Sequence, residues 1–212
     1  MKIFAVADIH GRKTRLQRVL AAYPAVRPDV LVVAGDITGR LGNEPIYTAL
    51  DRLPFPVLAV HGNTDTDNLE EVAKRYRNIT PLHLRAEIVA GVTFFGLGGA
   101  LSVPFLEKLH PRDDPHLAAA AAILGEETVL VTHTPPWGIL DRGFAALHGG
   151  SQGLRKLIAK RQPRLHICGH IHEDRGTAAV GKTTVVNCSM GRQGTGAVID
   201  IKNGTGLEIT FL

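Results

Sequence analysis

Lys2-Ile3-Phe4-Ala5-Val6-Ala7-Asp8-Ile9-His10 is the stretch on which the fold turns. Its apolar run is continuous rather than alternating, the pattern of a strand covered on both faces in a parallel sheet. The run is too short for a signal peptide or a membrane span. It stops at Asp8 and His10, a carboxylate and an imidazole two residues apart. Residues at that spacing share one face of an extended chain, so the two side chains can grip one ion. Taken alone, an Asp-x-His triplet is common by chance.

Four further apolar runs end in the same manner. Leu31-Val32-Val33-Ala34 leads into Gly35-Asp36, and Pro56-Val57-Leu58-Ala59-Val60 leads through His61 into Gly62-Asn63-Thr64-Asp65. Val131-Thr132 precedes His133-Thr134-Pro135-Pro136, and the run closing on Cys168 precedes Gly169-His170-Ile171-His172. Each has an ordinary explanation. Asp36 fits a helix cap, Gly62 to Asp65 fits a turn, and one histidine at a strand end is usually structural. Together they place seven oxygen or imidazole donors at the carboxyl ends of five apolar runs, which is where open α/β sheets bind ligands. Carboxylate and imidazole donors without thiolate suit manganese, iron, zinc, cobalt or nickel rather than a structural zinc knot.

Outward from these motifs, the first half alternates strand and helix. Leu16, Val19 and Leu20 form one apolar helix face, and helices are expected at 44–52 and at 67–76, the latter with Asp67 as N-cap. Segments 87–90 and 93–97 flank Gly91 as a hairpin. A helix at 115–124, a strand at 129–131, a helix at 153–160 and a strand at 165–168 follow. The tail reads as a β meander over 177–180, 183–187, 197–201 and 207–211. One sheet of about ten strands would be large, so two packed sheets in an α/β chain are expected.

The 212 residues are read as a single domain over 1–212, and 44% hydrophobic with 21% charged residues excludes a disordered or fibrous chain. Cys168 and Cys188 do not make a disulfide framework; they read as reduced thiols of a cytoplasmic protein. The net charge of +4 is spread along the chain, and 5% aromatics with Trp137 alone among tryptophans give little for base stacking. A nucleic-acid partner is therefore not expected.

The order Asp-x-His, Gly-Asp, Gly-Asn, strand-His and Gly-His-x-His, spread over residues 8 to 172, resembles the calcineurin-like metallophosphoesterase superfamily. The Gly62-Asn63-Thr64-Asp65 variant and the short chain are more similar to its small bacterial and archaeal phosphodiesterases than to Ser/Thr protein phosphatases. The resemblance implies an αββα sandwich of two mixed β-sheets flanked by helices. It implies two divalent ions, one held by Asp8, His10, Asp36 and His172, the other by Asp36, Asn63, His133 and His170, with Asp36 as the bridge. Manganese is the first expectation, with iron, nickel, cobalt, zinc or magnesium as alternatives.

The implied activity is hydrolysis of phosphodiesters or small phosphate esters by a hydroxide bridging the two ions. Asp36, Asn63 and Thr64 form the expected catalytic set, and Asn63, Thr64 and Arg12 the expected contacts to substrate phosphate. Thr64 departs from the pattern, because many members carry there a histidine thought to protonate the leaving group; a threonine hydroxyl is a poor acid at neutral pH. His61 falls on the opposite strand face by period-two alternation and is read as structural. His148-Gly149-Gly150-Ser151 reads equally as a closing loop or a plain connector. The expected partner is a small phosphoester, with no membrane; self-association is left open. The competing readings are a nuclease and a non-catalytic metal-binding scaffold, and a scaffold would be expected to have lost some of the seven donors.

Overall fold

Continuous apolar runs become strands that bury both faces. In the computed structural model, which describes residues 1–39, 44–66, 68–99, 115–202 and 206–212, β1 (Lys2–Val6) and β2 (Val30–Ala34) are almost wholly buried. They run parallel to each other, to β3 (Val57–Val60) and to the short β4 (Ile79–Pro81). Helices α1 (Lys13–Val26), α2 (Glu44–Asp51) and α3 (Leu69–Arg75) connect them. The chain continues through β5 (Ala86–Val89), β6 (Val92–Leu97), α4 (Pro115–Ile123), β7 (Thr128–Thr132), α5 (Gln152–Arg161) and β8 (Leu165–Cys168). It ends with β9 (Gly176–Val180), β10 (Thr183–Asn187), β11 (Ala197–Ile201) and β12 (Leu207–Phe211).

Among the described residues these strands form two six-stranded mixed sheets, ordered β12-β11-β1-β2-β3-β4 and β5-β6-β7-β8-β10-β9. Side-chain alternation then builds four layers. Ile3, Ala5, Val30 and Val32 of the first sheet meet Phe94, Val129, Val131 and Ile167 of the second. Phe4, Val6, Leu31 and Val33 point the other way, onto Leu16 and Val19 of α1 and Leu50 of α2. Leu130 and Val185 of the second sheet pack on Ala120 of α4 and on Leu154 and Ile158 of α5. The result is the αββα sandwich. No helix among the described residues is long and apolar enough to cross a membrane.

Three expectations change. The tail is not one meander: β9 and β10 pair in the second sheet, whereas β11 and β12 pair in the first. Between them the chain crosses from sheet to sheet, tied by Met190 N–H to the Ala7 carbonyl at 3.1 Å and by a parallel bridge of Ser189 with Ala7. β4 is added; three residues ending in proline carry no readable alternation. The cap of α3 is Asn68, whose side chain accepts from Glu70 N–H at 2.9 Å, while Asp67 lies outside the described residues.

Candidate metal centre

The ends of β1, β2, β3, β7 and β8 converge, and the backbone turns sharply there. Asp8, His10, Asp36 and His170 all adopt left-handed φ, at 64°, 53°, 51° and 72°. Such conformations cost non-glycine residues on the order of 1–3 kcal/mol each and collect at functional sites. Neighbouring loop backbones hold the turns in place: Asp8 N–H donates to the Gly35 carbonyl at 3.0 Å, His10 N–H to the Asp36 carbonyl at 2.8 Å, and Gly169 N–H to the His133 carbonyl at 3.0 Å.

The side chains form two adjoining donor groups. In the first, His172 Nε2 lies 3.2 Å from Asp8 Oδ1 and 3.3 Å from His10 Nε2, and His10 Nε2 lies 3.6 Å from Asp36 Oδ2. In the second, His133 Nε2 lies 3.0 Å from Asn63 Oδ1 and 3.4 Å from Asp36 Oδ2, with the His170 ring edge-on to His133 at 5.0 Å between centroids. Asp8–His10–His172 and Asp8–Asp36–His133 each present ligand atoms close enough to share one ion. Asp36 belongs to both neighbourhoods through the same oxygen, Oδ2, because its Oδ1 is engaged by Thr64 N–H at 2.9 Å.

The donor set fits divalent ions. Asp8 is fully buried, and its Oδ1 has no hydrogen bond although it faces this cluster. Its other oxygen accepts from His170 N–H at 3.1 Å. A buried carboxylate oxygen beside close-set imidazole nitrogens is unfavourable without a cation or protons among them.

Electrostatics in the metal-free protein reflects that crowding. Burial alone would raise the Asp8 and Asp36 carboxyls, but contacts with His172 and His133 respectively overcome it and hold both below the usual range. Burial would lower His133, yet its bond to Asp36 and the charges of Asp8 and Asp36 raise it to about 8. His170 is pushed down to about 4, first by burial and then by His133. His133 Nδ1 donates to the Ala34 carbonyl at 2.9 Å, so its second proton, when present, sits on Nε2 where an ion would bind. Metal uptake at pH 7 is therefore expected to release a proton, and affinity to fall roughly tenfold per pH unit below about 8. Calorimetric titration in buffers of differing ionisation enthalpy measures the release; heats independent of buffer would contradict it. Without metal, the raised His133 contributes stability that is complete below its unfolded value of 6.5 and is lost as pH rises through about 8.

Two expected site residues, Thr64 and Arg12, remain, together with the other residues singled out in the sequence. Thr64 lies against a donor: its Oγ1 is 3.2 Å from His10 Nδ1, leaving Nε2 to the ion cluster. Thr64→Val is expected to weaken metal binding by about 10–100-fold by freeing that ring. An unchanged metal titration would remove this role. Arg12 is exposed at the N-cap of α1, where its side chain makes no cap hydrogen bond. His61 leaves the cluster and packs at a tilt of 59° on His83, with ring centroids 5.0 Å apart. His148 is held by the buried Asp141 at 2.7 Å and packs on Trp137 with ring centroids 4.8 Å apart. Both cysteines are free and buried, with thiols pushed up by burial, so neither offers a thiolate.

Two further side chains support the donors. Asp65 accepts from Thr38 N–H and Gly62 N–H, both at 2.8 Å, and so braces the loop that carries Asn63. Arg15 is buried and donates to the main-chain oxygens of Asp8 and Gly191. The signal for Asp65 was its place in the Gly-Asn-Thr-Asp turn; Arg15 sits amid other arginines and had none.

Comparison with known proteins fits this geometry. The family described as calcineurin-like phosphoesterase matches residues 1–174. An uncharacterized protein of Methanocaldococcus jannaschii is 30% identical over 89% of this chain and 88% of its own length. A UPF0046 protein of Caenorhabditis elegans is 31% identical over 91% of this chain and 72% of its own. The solved structure of an archaeal phosphodiesterase superposes with a TM-score of 0.61 at 14% identity, covering all of both chains, which is a likeness of fold.

Proposed function

Because the chain belongs to the calcineurin-like phosphoesterase family, we propose that it hydrolyses phosphodiesters or small phosphate esters with two divalent ions, manganese first among them. One observation carries the dinuclear reading: Asp36 Oδ2 lies within 3.6 Å of His10 Nε2 and 3.4 Å of His133 Nε2, so one oxygen serves both donor groups. Ions held there supply Lewis acidity toward water and phosphoryl oxygens.

The chain's own residues set the rest. Asp8, His10 and His172 hold the first position, and Asn63, His133 and His170 the second. Asn63 turns its Oδ1 toward His133, which leaves the amide N–H₂ as a donor for a phosphoryl oxygen. The Thr64 hydroxyl is committed to His10 and is too weak an acid to protonate a departing alkoxide. Substrates with good leaving groups are then favoured, and nitrophenyl esters should far outpace alkyl esters.

The test is chelation followed by reconstitution with manganese, iron, nickel, cobalt, zinc and magnesium in turn. Metal content and hydrolysis of bis(4-nitrophenyl) phosphate are read together. Activity should return as metal approaches two equivalents per chain. Full activity at a stable single equivalent would remove the dinuclear reading, and no hydrolysis with any metal would remove the phosphoesterase itself.

A further inference from the structure

Beside His172 opens a cleft of about 380 Å³, lined by Arg15, His172, Glu173, Gly191 and Arg192. Arg15 stands in its wall with only 4% of its surface exposed. It forms no ion pair with a carboxylate among the described residues. Its two terminal nitrogens donate instead to main-chain oxygens, those of Asp8 and Gly191, the latter at 2.6 Å. Neutral acceptors satisfy the hydrogen bonds but leave the charge in place, and a buried guanidinium without a counter-ion is expensive to keep.

Nearby groups add to the positive field. Arg12 and Arg18 are close enough to act on Arg15 as like charges, and Arg192 is exposed at the rim. The first turn of α1, which carries Arg15, has no acidic residue and no capping side chain, so the positive end of a 14-residue helix is also uncompensated. Two carboxylates oppose this field. Asp8 acts on Arg15 as an opposite charge but turns its carboxylate to the ion cluster, and Glu173 is an exposed side chain on the cleft wall. Guanidinium forks match the oxygens of a phosphate better than any other common anion-binding side chain does.

We propose that this cleft is a second anion subsite, which receives a phosphate group carried by the substrate in addition to the phosphoryl that reacts. The proposal rests on the phosphoesterase reading and sharpens it, from phosphoesters in general to a preference for those bearing a second phosphate. Arg192 supplies the accessible contact, and the buried Arg15 charge holds the field behind it. The Arg15 charge, opposed only in part by Asp8, then gains a further counter-ion in the bound state.

Non-hydrolysable probes test it on the metal-loaded protein. Methylphosphonate carries one anionic group; methylene-, ethylene- and propylene-bisphosphonate carry two at increasing separation. Calorimetry should show at least one bisphosphonate binding about tenfold or more tighter than methylphosphonate, with the gap shrinking as salt is raised. In Arg192→Gln the gap should fall to about threefold or less, and in Arg192→Glu it should vanish. Loss of bound metal to the chelating probes would affect wild type and variants alike, so metal content is measured after each titration. No bisphosphonate preference in wild type, or a preference untouched by both Arg192 variants, overturns the subsite. Hydrolysis of bis(4-nitrophenyl) phosphate by wild type, followed in parallel, reports separately on the phosphoesterase reading. A bisphosphonate preference in a protein that hydrolyses no ester would sink that reading, and with it the role in hydrolysis, while leaving the second anion site itself in place.

Discussion

Asp36→Asn is expected to lower kcat on the order of 10³-fold and to deplete both metal positions. An asparagine has nearly the same shape, so the effect comes from which atom faces the ions. Thr64 N–H donates to Oδ1 of Asp36 at 2.9 Å and so demands an oxygen there. The amide must then present Nδ2 where Oδ2 now lies, between His10 and His133. An amide nitrogen carries two protons and no available lone pair, so it repels a cation instead of binding it. Removing one preorganised electrostatic contact typically costs about 10²–10³-fold, and this change touches two positions at once. Asp8→Asn meets a similar constraint, because His170 N–H holds Oδ2; Asp8 also stands in the group with Asp36 and His133, but the imidazoles nearest its Oδ1 are those of His172 at 3.2 Å and His10 at 3.7 Å, so the first position should suffer most. Elemental analysis should find close to one metal equivalent in Asp8→Asn and less in Asp36→Asn. Near wild-type turnover of Asp36→Asn at saturating metal would refute the bridging role.

Gly62→Ala should be nearly as damaging, though it alters no donor. A methyl group there would sit 2.1 Å from Asp36 Oδ1, 2.4 Å from Asp36 N and 2.8 Å from Asp36 Cγ. None of these atoms can retreat freely. The Asp36 carbonyl accepts from His10 N–H at 2.8 Å, and Gly62 N–H is itself pinned to Asp65 Oδ2 at 2.8 Å. Relief must come from moving the loop that carries Asn63 or the carboxylate itself. Overpacking of this kind costs about 1–3 kcal/mol, and a displacement near 1 Å at a reacting centre costs about 10²-fold in rate. Gly125→Ala is the control, since nothing lies within 4 Å of a methyl group at that position. Thermal melts and steady-state rates for both variants decide the point. A Gly62→Ala protein with unchanged melting temperature and rate would show that the loop is softer than these contacts imply.

Much of the fold was legible because its signals are local. The run ending at Ala7 announces a doubly covered strand, and Asp8 follows it at once. What stayed hidden depends on partners far along the chain. Ala197 to Ile201 has the burial alternation of a one-sided strand wherever it lies, so nothing local says that it pairs with β1 rather than with β10. The hydroxyl of Thr64 reads equally well as a substrate contact or a support; only the fold puts it on His10, 54 positions away. The left-handed φ at His10 and His170 is equally silent, since imidazole carries no preference strong enough to declare it. Arg15 resembles any helical arginine until the cleft beside His172 is seen.

The crossing of the chain between β10 and β11 bears on the order of assembly. Each proposed ion draws on the loops after β1, β2 or β3 and also on the segment after β8, so each would fasten the first layer to the second. A chain emerging from its N-terminus carries Asp8, His10, Asp36 and Asn63 early but completes the second position only with His170 and the first only with His172. Those first donors hold a divalent ion weakly while they stand alone, and tight capture waits until the two layers have closed on each other. Ions bound in this way would act as a late latch on a finished sandwich: they would contribute little to the early search and most to resisting the parting of the layers afterwards.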